Sequence, residues 1–164
     1  MVNIGKPNQA KLQAALKTFR PAIPRIFRKP NTTILVGTKI AFSSSASRQL
    51  TKTKILNLPA QVKFIPIVYK WSFRLGAQQL PASKLPKPAI KPTQLGIMTV
   101  DLSVTYSVEY TFPGLVPWTQ VTPNLVQNAL PINFLVVENP PEILNQPPRL
   151  VQGPCSFMSI KWRC

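Results

Sequence analysis

The sequence predicts an all-β fold, a β-sandwich or barrel of about seven to nine short strands with one amphipathic helix near its N-terminus. Three observations predict it. Residues 96–114, GIMTVDLSVTYSVEYTFPG, place apolar side chains at every even position from Met98 to Phe112 and polar ones at the odd positions between. That period of two belongs to a half-buried strand. The chain also holds 19 prolines, and each interior proline costs a helix a hydrogen bond and a clash with the preceding turn. Finally, the segments between the proline-rich stretches are rich in β-branched and aromatic residues.

The elements are expected in the following order. Asn8 caps a short helix running to about Phe19, with Leu12, Ala15, Leu16 and Phe19 on one face and Lys11, Lys17 and Arg20 off it. Pro21 ends this helix, and Pro24 and Pro30 keep the following chain extended. TTILVGTKIAF (32–42) reads as a strand bent at Gly37, and SSSAS (43–47) as a polar loop. TKTKILNL (51–58) is a short strand ended by Pro59. QVKFIPIVYKWSFRLGA (61–77) alternates from Ile67 through Tyr69, Trp71, Phe73 and Leu75, and Pro66 marks an edge or a strand start. Residues 80–94, LPASKLPKPAIKPTQ, form a stiff exposed Pro/Lys loop. The alternating strand follows, about 45–50 Å long if straight. LVPWTQVT (115–122), INFLVVEN (132–139) and CSFMSIKWRC (155–164) are further strands, with a proline-rich connection at 139–154.

A chain of 164 residues is most simply one domain, long enough to bury a core without disulfides. Its net charge of +16 is unevenly spread. Residues 1–91 hold 17 Lys or Arg and no acid, whereas 92–148 hold all four acids (Asp101, Glu109, Glu138, Glu142) and no Lys or Arg. Such a charge calls for a polyanionic partner. It fits an anionic membrane surface as well as a nucleic acid. The prolines and amides between Tyr110 and Val137 argue against a membrane span. Residues 1–30 lack an apolar core of the length a secretory signal needs.

Catalysis finds little material. There is no histidine, which removes the commonest general base and metal ligand. Asp101 and Glu109 share one face of a strand but stand about 26 Å apart, too far for a carboxylate pair. Glu138 and Glu142 flank a Pro–Pro turn. Cys155 and Cys164 are too few for a structural zinc site, and whether they pair stays open. No phosphate loop or dinucleotide fingerprint is present. No enzymatic activity, small-molecule substrate, cofactor or metal is expected.

Nucleic-acid binding has better material. The candidate phosphate contacts are Lys6, Lys11, Lys17, Arg20, Arg25, Arg28 and Lys29 in the leading segment, and Lys84, Lys87 and Lys91 in the Pro/Lys tract. With only Phe19 and Phe27 in the leading segment, no base-stacking platform is evident. Binding is therefore expected to be largely sequence-independent.

The segment Gly96–Gly114 resembles the closing strand of coat proteins from small icosahedral positive-strand RNA viruses of plants, of the tombusvirus, sobemovirus and satellite-virus groups. Gly96, Val100, Val104, Tyr106, Val108, Glu109, Tyr110 and Pro113 carry the resemblance, and YKWSFRL (69–75) is similar to a shell strand of the same proteins. Roughly 50 residues follow the strand here, so either the roll is abbreviated or the strand takes a different place in the sheet. The resemblance implies a jelly-roll-like sandwich over residues 31–164 and a basic RNA-binding arm over residues 1–30. It also implies a self-assembling coat protein that packages single-stranded RNA, located in the virion and, during assembly, in the host cytoplasm. The alternatives are a non-capsid viral nucleic-acid-binding protein, such as a movement protein or silencing suppressor, and a basic subunit of a ribosome-like assembly.

Overall fold

The computed structural model describes residues 9–138. The expectations placed on Lys6, Asn8, Glu142, the 139–154 connection and the 155–164 strand with its cysteines lie outside the described residues. Among the described residues the architecture is all-β with one short helix, and two sheets share a single core.

The larger sheet is organised by two long strands, β5 (Leu58–Leu75) and β8 (Gly96–Phe112). They pair antiparallel from Gln61↔Thr111 to Leu75↔Met98. Every even-numbered residue of β8 from Met98 to Phe112 is buried, so the alternation read from the sequence defines its core face. β4 (Gln49–Ile55) lies along the first part of β5, and β6 (Gln78–Ser83) along the last part. The other edge of β8 is shared by β9 (Val116–Asn128) and β10 (Ile132–Val137), and the short β2 (Ile34–Leu35) runs parallel to β10. The smaller sheet holds β1 (Ile26–Lys29), β3 (Ile40–Ser44) and β7 (Ala89–Ile90), in the order β1-β3-β7, all antiparallel.

Of the two prolines of β5, Pro59 departs from the expected punctuation, whereas Pro66 stands at a local edge. Pro59 does not end a strand. The chain reverses two residues earlier, at Leu56 and Asn57, both with positive φ (50° and 65°). That is the geometry of a two-residue hairpin turn whose twist matches the flanking strands. Pro59 then lies inside β5 opposite Lys54. Pro66 sits where β4 has ended, at Phe64, and β6 has not begun, at Trp71. The far edge of β5 has no partner strand there, so a residue without an N–H is tolerated. Opposite β8 the register slips by one between Pro66 and Val68, leaving Ile67 as the extra residue of a bulge. The slip lets Val62 and Phe64 before it, and Trp71, Phe73 and Leu75 after it, all face the core.

Phe42 of β3 joins the two sheets. Its ring centroid lies 5.2 Å from that of Phe73, 6.2 Å from Trp71 and 6.4 Å from Phe134. The indole N–H of Trp71 donates to the Leu85 carbonyl at 2.9 Å and ties down the β6–β7 loop. The Pro/Lys tract is thus only partly the exposed loop expected: it contributes the end of β6 and all of β7, and Pro88 and Pro92 are buried. Helix α1 (Gln9–Leu16) buries Leu12 and Leu16, with Ala15 and Phe19 packed against the same core. Leu16 and Phe19 line a cleft together with Val108, Val121 and Leu125, which places the helix over the part of the large sheet nearer the β8–β9 turn. Residues 9–30 are therefore packed on the sheets, because an apolar stripe on a short helix is stable only when something covers it.

The Tyr106 side chain is fully buried, and its hydroxyl finds no hydrogen-bond partner among the described residues. Burial, and secondarily the neighbouring Tyr69, raise its phenol above the usual 10.0. Tyr106→Phe is expected to stabilise the fold by about 1 kcal/mol by removing an orphaned polar atom. It also removes an alkaline weakness. The raised folded value means that this group's contribution is intact below the unfolded tyrosine pKa, near 10, and is lost as pH rises through the higher folded value. Urea titrations of both proteins at neutral pH and above pH 10 check this, with the gap widening at the higher pH.

Candidate nucleic-acid interface

Strand alternation sorts the small sheet into two faces. Ile26, Ile40 and Phe42 turn into the core. The intervening residues turn outward, in rows set by the register: Phe27 beside Ser43, and Lys29 beside Ala41 and Ala89. Backbone hydrogen bonds extend these rows beyond the formal strands. The Ser45 N–H donates to the Arg25 carbonyl at 3.0 Å, and the Arg25 N–H donates to Ser45 Oγ at 2.8 Å. The Phe42 N–H donates to the Pro88 carbonyl at 2.8 Å, which carries Lys87 alongside Ser43 and Lys91 alongside Lys39.

The outward face therefore carries Arg25, Lys29, Lys39, Lys87 and Lys91, all exposed. Between them lie only small residues, Ala41, Ser43 and Ala89, and the half-exposed ring of Phe27. Outward positions repeat about every 7 Å along a strand, and strands lie about 4.8 Å apart. The five cations thus occupy a patch only a few residues across, with nothing tall between them to hold off a phosphate backbone. Asp101 and Glu109 are in β8, and Glu138, after β10, lines a pocket with Val36, Thr93 and Gln94 beyond the Lys91 end of this face.

Four of the sequence-predicted site residues, Arg25, Lys29, Lys87 and Lys91, come from two segments some sixty residues apart and are brought together by the β1-β3-β7 order. Lys84 is exposed in the β6–β7 loop. Lys11, Lys17 and Arg20 are exposed on the helical side, where Lys17 and Arg20 line a separate cleft with Pro123 and Asn124. Arg28 is not a free cation. As an inward-facing residue of β1 it stands 4.5 Å over the Phe134 ring. Its guanidinium donates to the carbonyls of Pro30 at 2.6 Å, Thr32 at 3.1 Å and Asn31 at 3.4 Å. It closes the turn after β1 and presents no charge to the outer face.

Sequence reasoning missed Lys39, which precedes β3 and falls in phase with its outward residues. It also missed Lys52 and Lys54, whose spacing in TKTK puts both on one face of β4, and the exposed Lys70 and Arg74 of β5. Lys63, between core-facing Val62 and Phe64, lies on the outer face of the large sheet yet is buried. Its ammonium donates to Glu109 Oε2 at 2.7 Å and lies 3.8 Å from the centre of the Trp118 ring, so its charge is already balanced. Among the described residues no group of three His, Cys, Asp or Glu side chains is placed to hold a metal ion, and no helix is long and apolar enough to cross a membrane.

Compared with protein-family models, curated proteins and solved structures, the chain matches none.

The adjacent Arg28 and Lys29 provide a test of this sorting. Arg28→Met is expected to lower stability by about 1–3 kcal/mol, because three carbonyls lose a charged donor. It should leave the salt dependence of polyanion binding unchanged. Denaturant melts and binding titrations on the same preparation check both halves.

Proposed function

We propose that this chain is a coat protein of a small RNA virus, with a jelly-roll-like shell domain that holds single-stranded RNA through the outer face of its small sheet. The observation that carries the reading is the gathering of Arg25, Lys29, Lys39, Lys87 and Lys91 on one face. Lys and Arg bind nucleic acid by neutralising phosphates and releasing counterions, without regard to sequence. The other half of the reading is self-association. Copies carrying +16 repel one another across their basic surfaces. Residues 92–148 carry no Lys or Arg, so β8, β9 and β10 offer a surface where copies approach at low electrostatic cost. RNA on the basic face would neutralise the remainder and let the shell close. The virion is then its destination and the host cytoplasm its site of assembly.

A second reading, a viral nucleic-acid-binding protein that forms no shell, is favoured by one observation. Leu12 and Leu16 are buried against the sheets, so the described part of the leading segment is a packed element of the domain. Electron microscopy of the protein mixed with RNA separates the two, by closed particles or by ribonucleoprotein threads.

The phosphate-binding face is tested by the fourfold variant Lys29→Gln, Lys39→Gln, Lys87→Gln and Lys91→Gln. Five phosphate contacts give a slope of log K against log salt of about −3.5 on a single strand. The variant, with one of the five left, should approach about −0.7. Fluorescence anisotropy with a labelled RNA over a salt series measures both. Affinity and slope equal to those of the unaltered protein would overturn the assignment.

A further inference from the structure

A groove of about 1040 Å³ lies beside β1, between residues 22–27 and the 130–132 turn into β10. β1 is an outer strand of its sheet, with no strand among the described residues paired to its other side. The groove's walls are largely apolar, formed by Ile23, Phe27, Leu130, Pro131 and Ile132, with Arg25 and three uncharged polar side chains from the 45–49 stretch. Three of these apolar residues are well exposed: Ile23 at 56%, Phe27 at 50% and Leu130 at 75%. Phe27 belongs to two surfaces at once. It lies in the outward row beside Ser43, between the Arg25 and Lys29 positions of β1, and it also lines the groove.

We infer that this groove receives unstacked nucleobases of the polynucleotide whose phosphates cross the basic face, with Phe27 as the stacking platform. The inference rests on the reading above and deepens it by naming where the bases of that single strand are received. Charge selects the occupant: the apolar wall is contiguous with Arg25, which lines the groove, and with Lys29 on the same outward face as Phe27, and both suit a phosphate chain. A duplex buries its bases in its own stack and can offer this groove none, whereas a single strand can turn them out. Every base has a π-face, so stacking on Phe27 adds affinity for single strands without adding sequence preference.

The test compares Phe27→Ala and Phe27→Trp in the full chain, using a homopyrimidine RNA oligonucleotide and a duplex RNA of equal length. Phe27 is half exposed on an outer face, so both variants retain the core. Phe27→Ala should weaken single-strand binding about tenfold, leave duplex binding unchanged and leave the salt slope unchanged. Phe27→Trp should keep the affinity and show quenching of indole fluorescence on adding the single strand, beyond that of the unaltered protein. Equal affinity of Phe27→Ala and the unaltered protein for the single strand overturns the inference, as does an equal loss on both RNAs. Loss of self-association with RNA binding intact also overturns it, since the groove would then be a protein contact. The fourfold lysine variant separates the two levels. If it loses affinity while Phe27→Ala does not, the base groove alone fails; if it binds normally, the underlying reading fails.

Discussion

The antiparallel pairing of β5 with β8 is the constraint on which the rest of the structure depends. Because side chains alternate strictly along a strand, a single slip of register moves every later residue to the opposite face. Here one slip is built in, at Ile67. Without it, the Val62–Phe64 part of β5 and the Trp71–Phe73–Leu75 part would face opposite ways, and one would be left in water. With it, both stand opposite the even-numbered residues of β8, from Tyr110 and Val108 at one end to Val100 and Met98 at the other. The small sheet docks on one part of this surface through Phe42, and the helix closes another through Leu16 and Phe19.

That same alternation decides what each cation does. Arg28 and Lys29 are neighbours in sequence, yet one lies over an aromatic ring with its guanidinium on three carbonyls, and the other stands exposed. Lys63 is enclosed by Glu109 and Trp118, whereas Lys52 and Lys54 on the adjoining strand stand free in solvent. A basic residue on a strand is thus either a structural counter-charge or part of an electrostatic surface. Its phase relative to the core, and the neighbour its register supplies, determine which.

The proposed function follows from separation of charge in space. Three short strands bring cations from the leading segment, from the start of β3 and from the Pro/Lys tract onto one face. The acids stay on or beside the large sheet, where Glu109 already balances Lys63. A face with cations, small residues and one accessible aromatic ring is chemically suited to a flexible polyanion with flat bases.

Much of this was legible in the sequence. The period of two in 96–114 determined the core face of β8, the proline count argued against long helices, and Leu12, Ala15 and Leu16 marked the packed side of the described helix. The asymmetry of charge along the chain is the part of the sequence on which the proposed polyanion partner rests. Local pattern marked Pro66 as an edge or strand start, but could not show that the chain turns at Leu56 and Asn57 before Pro59, or which two strands, β4 and β6, leave the gap at Pro66. Nor could it separate Arg28 from Lys29, or join Arg25 and Lys29 to Lys87 and Lys91. Those outcomes depend on which strands lie side by side and in what register. Pairing is a contact between residues far apart in the chain, and only the tertiary structure decides it.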